Sequence, residues 1–147
     1  MELPHELRRL RYEHAQIREL GAAIRAVISQ PNSEELQKLL SIRLRFDALL
    51  VRHLKCEDWI LYPRISASLD RDISHLGDRV FSQYGDLADR LMEYMDQWTG
   101  DAIHADWDGH RSAVEALLDH AERRAVAEEQ ILFPAVAQDY ATHRRVG

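Results

Sequence analysis

An internal disulfide is excluded at once, because the chain of 147 residues has a single cysteine, Cys56. Nor does it contain the run of about 20 apolar residues that a bilayer span requires. The opening stretch MELPHELRRLRYEH lacks the apolar core of a secretion signal, so the chain reads as cytoplasmic with no membrane partner. Glycine (6) and proline (4) are scarce, which removes the turn punctuation that a strand-rich fold needs. A surplus of basic charge is missing too: the formal net charge is −6, leaving little with which to neutralise phosphates. Nucleic acid is therefore not an expected partner, and the local run Arg8, Arg9, Arg11 does not alter that.

What the chain does have is charge and helix formers. Charged residues make up 30% of it, with leucine, alanine, glutamate and arginine dominant, the composition of long amphipathic helices. The length suits one domain over residues 1–147, large enough to bury a core without staples. Breaks at Pro31-Asn32-Ser33 and Thr99-Gly100-Asp101, with a softer one near Leu69, leave four segments of helical periodicity at roughly 4–28, 33–67, 71–98 and 105–140. Ser33 reads as the cap of the second. On the third, Leu76, Val80, Tyr84, Leu87, Leu91, Met95 and Trp98 fall on one stripe. Short connections make neighbours antiparallel, predicting an all-α up-down-up-down four-helix bundle.

An internal echo sharpens this. Residues 53–63 read HLKCEDWILYP and residues 124–134 read RAVAEEQILFP, so the spacing Glu, acid, any residue, Ile, Leu, aromatic, Pro recurs. Two similar hairpins meeting about a pseudo-twofold axis would produce it. At about 100° per residue, Glu57 lies at the centre of the apolar stripe of the second helix and Glu128 close to that of the fourth. Two carboxylates thus point at the core, and a buried carboxylate without a partner costs several kcal/mol or becomes protonated. Metal ions would compensate them. His53, one turn before Glu57 and about 40° from it, can reach the same ion. His14 lies at the flank of its stripe, with Glu13 nearer the centre, while Cys56 points about 100° from Glu57 and reads as packing.

With these residues in place, the chain resembles the hemerythrin HHE cation-binding family, over nearly its whole length. The resemblance rests on His14 in YEHAQI, His53 and Glu57 in HLKCEDWILYP, and Glu128 in EEQILFP. It implies an up-down bundle that holds a pair of irons with histidines and two bridging carboxylates, with these four residues at ligand positions. Two departures follow. The second H-x-x-x-E histidine should stand at position 124, where this chain has Arg124, a permanent cation that ligates no metal. On the third helix, antiparallel packing about a turn near Leu69 sets Tyr84 level with His53 and Glu57, where the family places a histidine. Tyr84 ranks above His75, which points about 150° from the stripe. His120, about 80° from Glu128, is an alternative replacement ligand.

The expected metal set is therefore His14, His53, Glu57, Tyr84 and Glu128, with Arg124 paired to Glu128. Imidazole plus carboxylate favours non-heme iron, mononuclear or dinuclear, with zinc or manganese as alternatives. The resemblance implies dioxygen, nitric oxide or peroxide as small ligands, for sensing, storage or detoxification. Loss of a nitrogen ligand argues against simple oxygen carriage. Two other readings stand beside this one: a diiron-type oxidoreductase, and a metal-free bundle that acts as an interaction module. His5, His104, His110 and His143 read as surface or terminal residues. Trp59 and Tyr62, off the apolar centre, mark a candidate homodimer interface.

Overall fold

The computed structural model describes the backbone of residues 2–146 and the side chains through His143. Helix α1 (Leu3–Ile28) starts with Pro4 in its first turn, where a missing N–H costs nothing. A link then leads to α2 (Leu36–Cys56), a π-helical turn (Glu57–Leu61) and α3 (Tyr62–Ser66), which together form one continuous rod. After the exposed turn at Leu69 the chain returns as α4 (Arg71–Tyr84) and α5 (Leu87–Gln97). The short α6 (Gly100–Ala105) precedes the last rod: α7 (Trp107–Ala127), a second π-helical turn (Glu128–Leu132) and α8 (Phe133–Val146). No strand occurs among the described residues.

Side-chain caps fix several helix starts. Asp70 accepts from the Asp72 and Ile73 amides, Thr99 from Ala102 and Asp106 from Gly109. Ser33 is not a cap. The second helix begins three residues later than its pattern predicts, and the Ser33 hydroxyl instead bonds His104 Nδ1 at 2.8 Å.

The four rods pack as an up-down-up-down antiparallel bundle, as their periodicity and short links predict, with α1 between α2 and α7, and α5 between α2 and α7. Gly77 lets α4 approach α3 closely, since a Cβ there would lie 2.5 Å from Ile65 Cγ2. The third rod is not continuous. It breaks at Gly85-Asp86, where a Cβ on residue 85 would lie 2.5 Å from the Phe81 carbonyl oxygen, a turn tight enough to require glycine.

The apolar interior is divided in two. One cluster, including Phe46, Leu50, Leu91, Ile103 and Leu118, fills the end nearest α6. The other, including Leu7, Leu10, Leu61, Leu132 and Phe133, fills the opposite end. Between them lies a buried polar layer containing His14, His53, Glu57, Arg124 and Glu128.

A smaller polar group sits within the first cluster. The Tyr94 hydroxyl and His110 Nε2 are 2.8 Å apart, Arg43 Nε bonds Asp47 Oδ2 at 3.2 Å, and the Arg43 guanidinium lies 4.6 Å from the Tyr94 ring centroid. His110 is wholly buried, contrary to the surface position its sequence suggests, because α7 starts at Trp107 and directs it inward against Trp98 and Trp107. Burial, helped by the Arg43 charge, pushes its pKa down to about 4. In the unfolded chain it titrates near 6.5, so falling pH protonates the unfolded state first. This contribution to stability is intact above about pH 6.5 and is lost progressively toward pH 4. Urea unfolding at pH 7 and pH 5 should show the wild type losing on the order of 1–2 kcal/mol more than Tyr94→Phe/His110→Leu. Equal losses would show that His110 protonates freely in the fold.

Candidate metal centre

Both π-helical turns begin at a core glutamate, Glu57 or Glu128, and both precede a proline, Pro63 or Pro134. Proline lacks an N–H and its ring clashes with the carbonyl four residues back, and the wider turn relieves that conflict. The bonds of the widened turns run from the Tyr62 amide to the Glu57 carbonyl and from the Phe133 amide to the Glu128 carbonyl. The extra residue turns the following side chains by about 100°. Tyr62, expected off the apolar centre, is thereby buried, and its hydroxyl donates to Glu128 Oε2 at 2.8 Å. Phe133, its counterpart in the echo, stacks nearly parallel on His14 at 5.9 Å.

Four side chains converge in the layer: one ligand atom from each of His14, His53, Glu57 and Glu128 lies within 4.8 Å of the others. His14 Nε2 is 3.1 Å from Glu128 Oε1 and 3.7 Å from Glu57 Oε2, and His53 Nε2 is 3.2 Å from Glu57 Oε1. The outward nitrogens face carboxylates, His53 Nδ1 to Glu13 Oε1 at 2.8 Å and His14 Nδ1 to Glu129 Oε1 at 3.2 Å. Arginines hold those carboxylates: Arg9 donates to Glu13, and Arg18 grips Glu129 with two bonds of 2.9 and 2.8 Å. A carboxylate behind an imidazole fixes its tautomer and ring orientation, aiming both Nε2 atoms inward.

Arg124, 2% exposed, closes the other side of the layer. Its Nε donates to Glu128 Oε2 at 3.2 Å, and its Nη2 to Glu57 Oε1 at 3.3 Å and to Asp58 Oδ1. The helix break at Gly85 presents the Tyr84 carbonyl, which accepts from Nη1 at 3.3 Å. Three wholly buried atoms, His53 Nε2, Glu57 Oε2 and Glu128 Oε1, have no hydrogen-bond partner. Buried polar atoms are rarely left so, and orphans that converge on one point suit a cation. Two imidazoles with two carboxylates form a donor set that fits iron, zinc or manganese.

The charges are strongly coupled. Burial disfavours protonated His14, yet its attraction to the carboxylates of Glu128 and Glu57 prevails and raises the pKa to about 10. Burial is likewise overcome at His53 by the charge of Glu57 and the bond to Glu13, giving about 9. Glu57 is held well below the carboxylate range by His53, His14 and Arg124 despite burial. Burial and repulsion from Glu57 push Glu128 up to about 7. An adjacent cavity of about 170 Å³, lined by Ile17, Leu50, Leu54, Leu87 and Leu118 and edged by Arg18, Arg25 and Glu122, reaches the four residues.

Of the residues singled out from the pattern, His14, His53, Glu57 and Glu128 are brought together. Tyr84 meets the layer through its backbone carbonyl, while its ring packs at 5.9 Å from that of His120. His120 Nε2 faces Asp86 at 2.9 Å, and His75 is exposed on α4. Glu13, Asp58, Tyr62 and Glu129 were not identified as participants. The acid after each core glutamate was visible in the echo, but ideal wheels carry no signal of a π turn.

No curated protein and no solved structure matches the chain. The hemerythrin HHE cation binding domain matches residues 5–136, a stretch that contains the whole buried layer and all four rods except the first two residues of the first and the end of the last. The chain therefore belongs to the hemerythrin HHE cation-binding family.

Proposed function

We propose that the chain binds one non-heme metal ion, iron foremost, through His14, His53, Glu57 and Glu128, with Arg124 standing where a second ion would lie, and that it senses or handles dioxygen, nitric oxide or peroxide. The observation that carries this reading is the convergence of three unpartnered buried donors on one side of Glu57 and Glu128, while Arg124 binds both carboxylates on the other. Bound ferrous iron would supply a redox-active centre with affinity for such small ligands. The protein's part is positional. Glu13 and Glu129 orient the imidazoles, Tyr62 keeps its proton at Oη because burial raises its pKa, and the leucine-lined cavity admits a small ligand to a layer shielded from water. Tyr84, expected among the ligands, reaches the layer through its carbonyl on the Arg124 side, so it would serve only an ion that took the place of Arg124. Zinc and manganese fit the same donors, and a cytoplasmic location belongs to the proposal too; no described helix is long and apolar enough to cross a membrane.

A second reading has its own support. Arg124 touches Glu57, Asp58 and Glu128 at once, and a guanidinium with three carboxylates can stabilise a bundle that never binds metal. Such a chain would act as an interaction module.

Elemental analysis after anaerobic ferrous loading and desalting separates these. About one iron per chain is expected in the wild type, almost none in Glu57→Ala, and a rise toward two in Arg124→His. About two in the wild type would sink the arginine-substituted site, and none in any variant would favour the metal-free module.

Thermal unfolding gives an independent check. A ligand at about 100 times its Kd adds about 2.7 kcal/mol, which for a chain of this size raises Tm by roughly 5–10 °C. Ferrous or zinc ions should produce that rise, reversed by chelator; a Tm indifferent to both would argue for the second reading.

A further inference from the structure

The face formed by α2 and α5 carries exposed apolar surface that no other described helix covers, with Lys55 Nζ lying 5.6 Å from the Trp59 ring centroid. Leu44 is 73% exposed, Trp59 71% and Met92 58%. They border two adjoining depressions that share Val51 and Lys55, one of about 180 Å³ closed by Ala88 and Met92, the other of about 350 Å³ closed by Met95. Contiguous apolar surface of this kind marks an association site more often than scattered exposure does.

The charges beside it identify the occupant. On the outer side of the stripe α2 exposes Arg45 and Arg52, while α5 exposes Asp89 and Asp96. None of these four is in an ion pair among the described residues, although elsewhere Arg18, Arg25 and Arg90 each find a carboxylate. A basic edge and an acidic edge flanking one apolar stripe form a self-complementary surface. A twofold axis lying in the face and parallel to the helices sets α2 of one copy over α5 of the other at the same level, bringing Arg52 opposite the partner's Asp89 and Arg45 opposite the partner's Asp96. An axis across the helices would instead stack basic edge on basic edge.

We propose that the chain forms a homodimer through the α2–α5 face, about a twofold axis parallel to these helices, with Trp59 and Met92 in the apolar centre, Arg52 paired to the partner's Asp89 and Arg45 to the partner's Asp96. From Leu44 to Trp59 the stripe runs about 22 Å, and two helices side by side are about 20 Å wide. The area is thus on the order of 450 Å² per copy, at the small end of specific interfaces, so the dimer is weak and reversible. Asp58, which lines the same face and pairs with Arg124, becomes more enclosed on association.

Sedimentation equilibrium of the full chain from low-micromolar to near-millimolar concentration tests this, and its readout needs no metal. The average mass should rise from 17.1 kDa toward twice that value. Met92→Glu should abolish the rise. Arg52→Glu and Asp89→Arg should each weaken association about tenfold, since each replaces two attractions by two repulsions across the axis. The double variant Arg52→Glu/Asp89→Arg should recover to near wild type, a rescue that general destabilisation would not produce. Circular dichroism on the same samples establishes that the variants remain folded. A monomer at all concentrations, a dimer indifferent to Met92→Glu, or a double variant no better than either single one would overturn the proposal.

Discussion

Two carboxylates, Glu57 and Glu128, lie wholly buried at the centre of a helical bundle, and much of the surrounding structure answers the cost of putting them there. Ionised and unpaired, each would be penalised by several kcal/mol. The chain meets that demand from every rod: His14 from α1, His53 from α2, the Tyr84 carbonyl at the end of α4, and Arg124 from α7. The imidazoles are in turn backed by Glu13 and Glu129, and these by Arg9 and Arg18 at the surface. Charge alternates outward from the centre, so no buried ion faces only apolar neighbours. The same layer divides the core, and its polar contacts fix the register of the rods where the two apolar clusters meet.

The paired π turns show how a local conflict serves this arrangement. Proline two residues after the Ile-Leu pair cannot accept an ordinary helical continuation, and the turn widens at the glutamate. Widening rotates the aromatic that precedes proline into the core. Each aromatic serves the other half of the site: Tyr62 bonds Glu128, and Phe133 covers His14. The two halves of the echo, though they differ at position 53 versus 124, are thus interlocked.

How much of this was legible in sequence depends on the kind of periodicity involved. The bundle and the inward direction of Glu57 and Glu128 follow from a regular 3.6-residue repeat, and wheels recover them. Tyr62 was misplaced, because a π turn shifts the phase without changing composition. Glu13 looked like a rival of His14 for the inward position; both are buried, and Glu13 takes the place behind His53 instead. His110 was read as a surface residue because nothing in its neighbours reveals that α7 begins at Trp107 and closes over it. The break at Gly85 was missed for a different reason: the apolar stripe runs straight through it, and only the spatial demand of Phe81 on that position requires glycine.

Arg124 also limits what the layer can hold. Glu57, Glu128 and Asp58 together carry three negative charges when ionised, and Arg124 supplies one positive charge that no accessible pH removes. One divalent cation balances the remainder with both imidazoles neutral. A second divalent ion beside a retained Arg124 would leave an excess of positive charge in a layer from which water is largely excluded, where unbalanced charge is most costly. An arginine at this position is therefore more than the loss of a nitrogen donor. It fixes in the sequence a charge that a histidine would have left to a second ion, and it does so with bonds to both core carboxylates, Glu57 and Glu128.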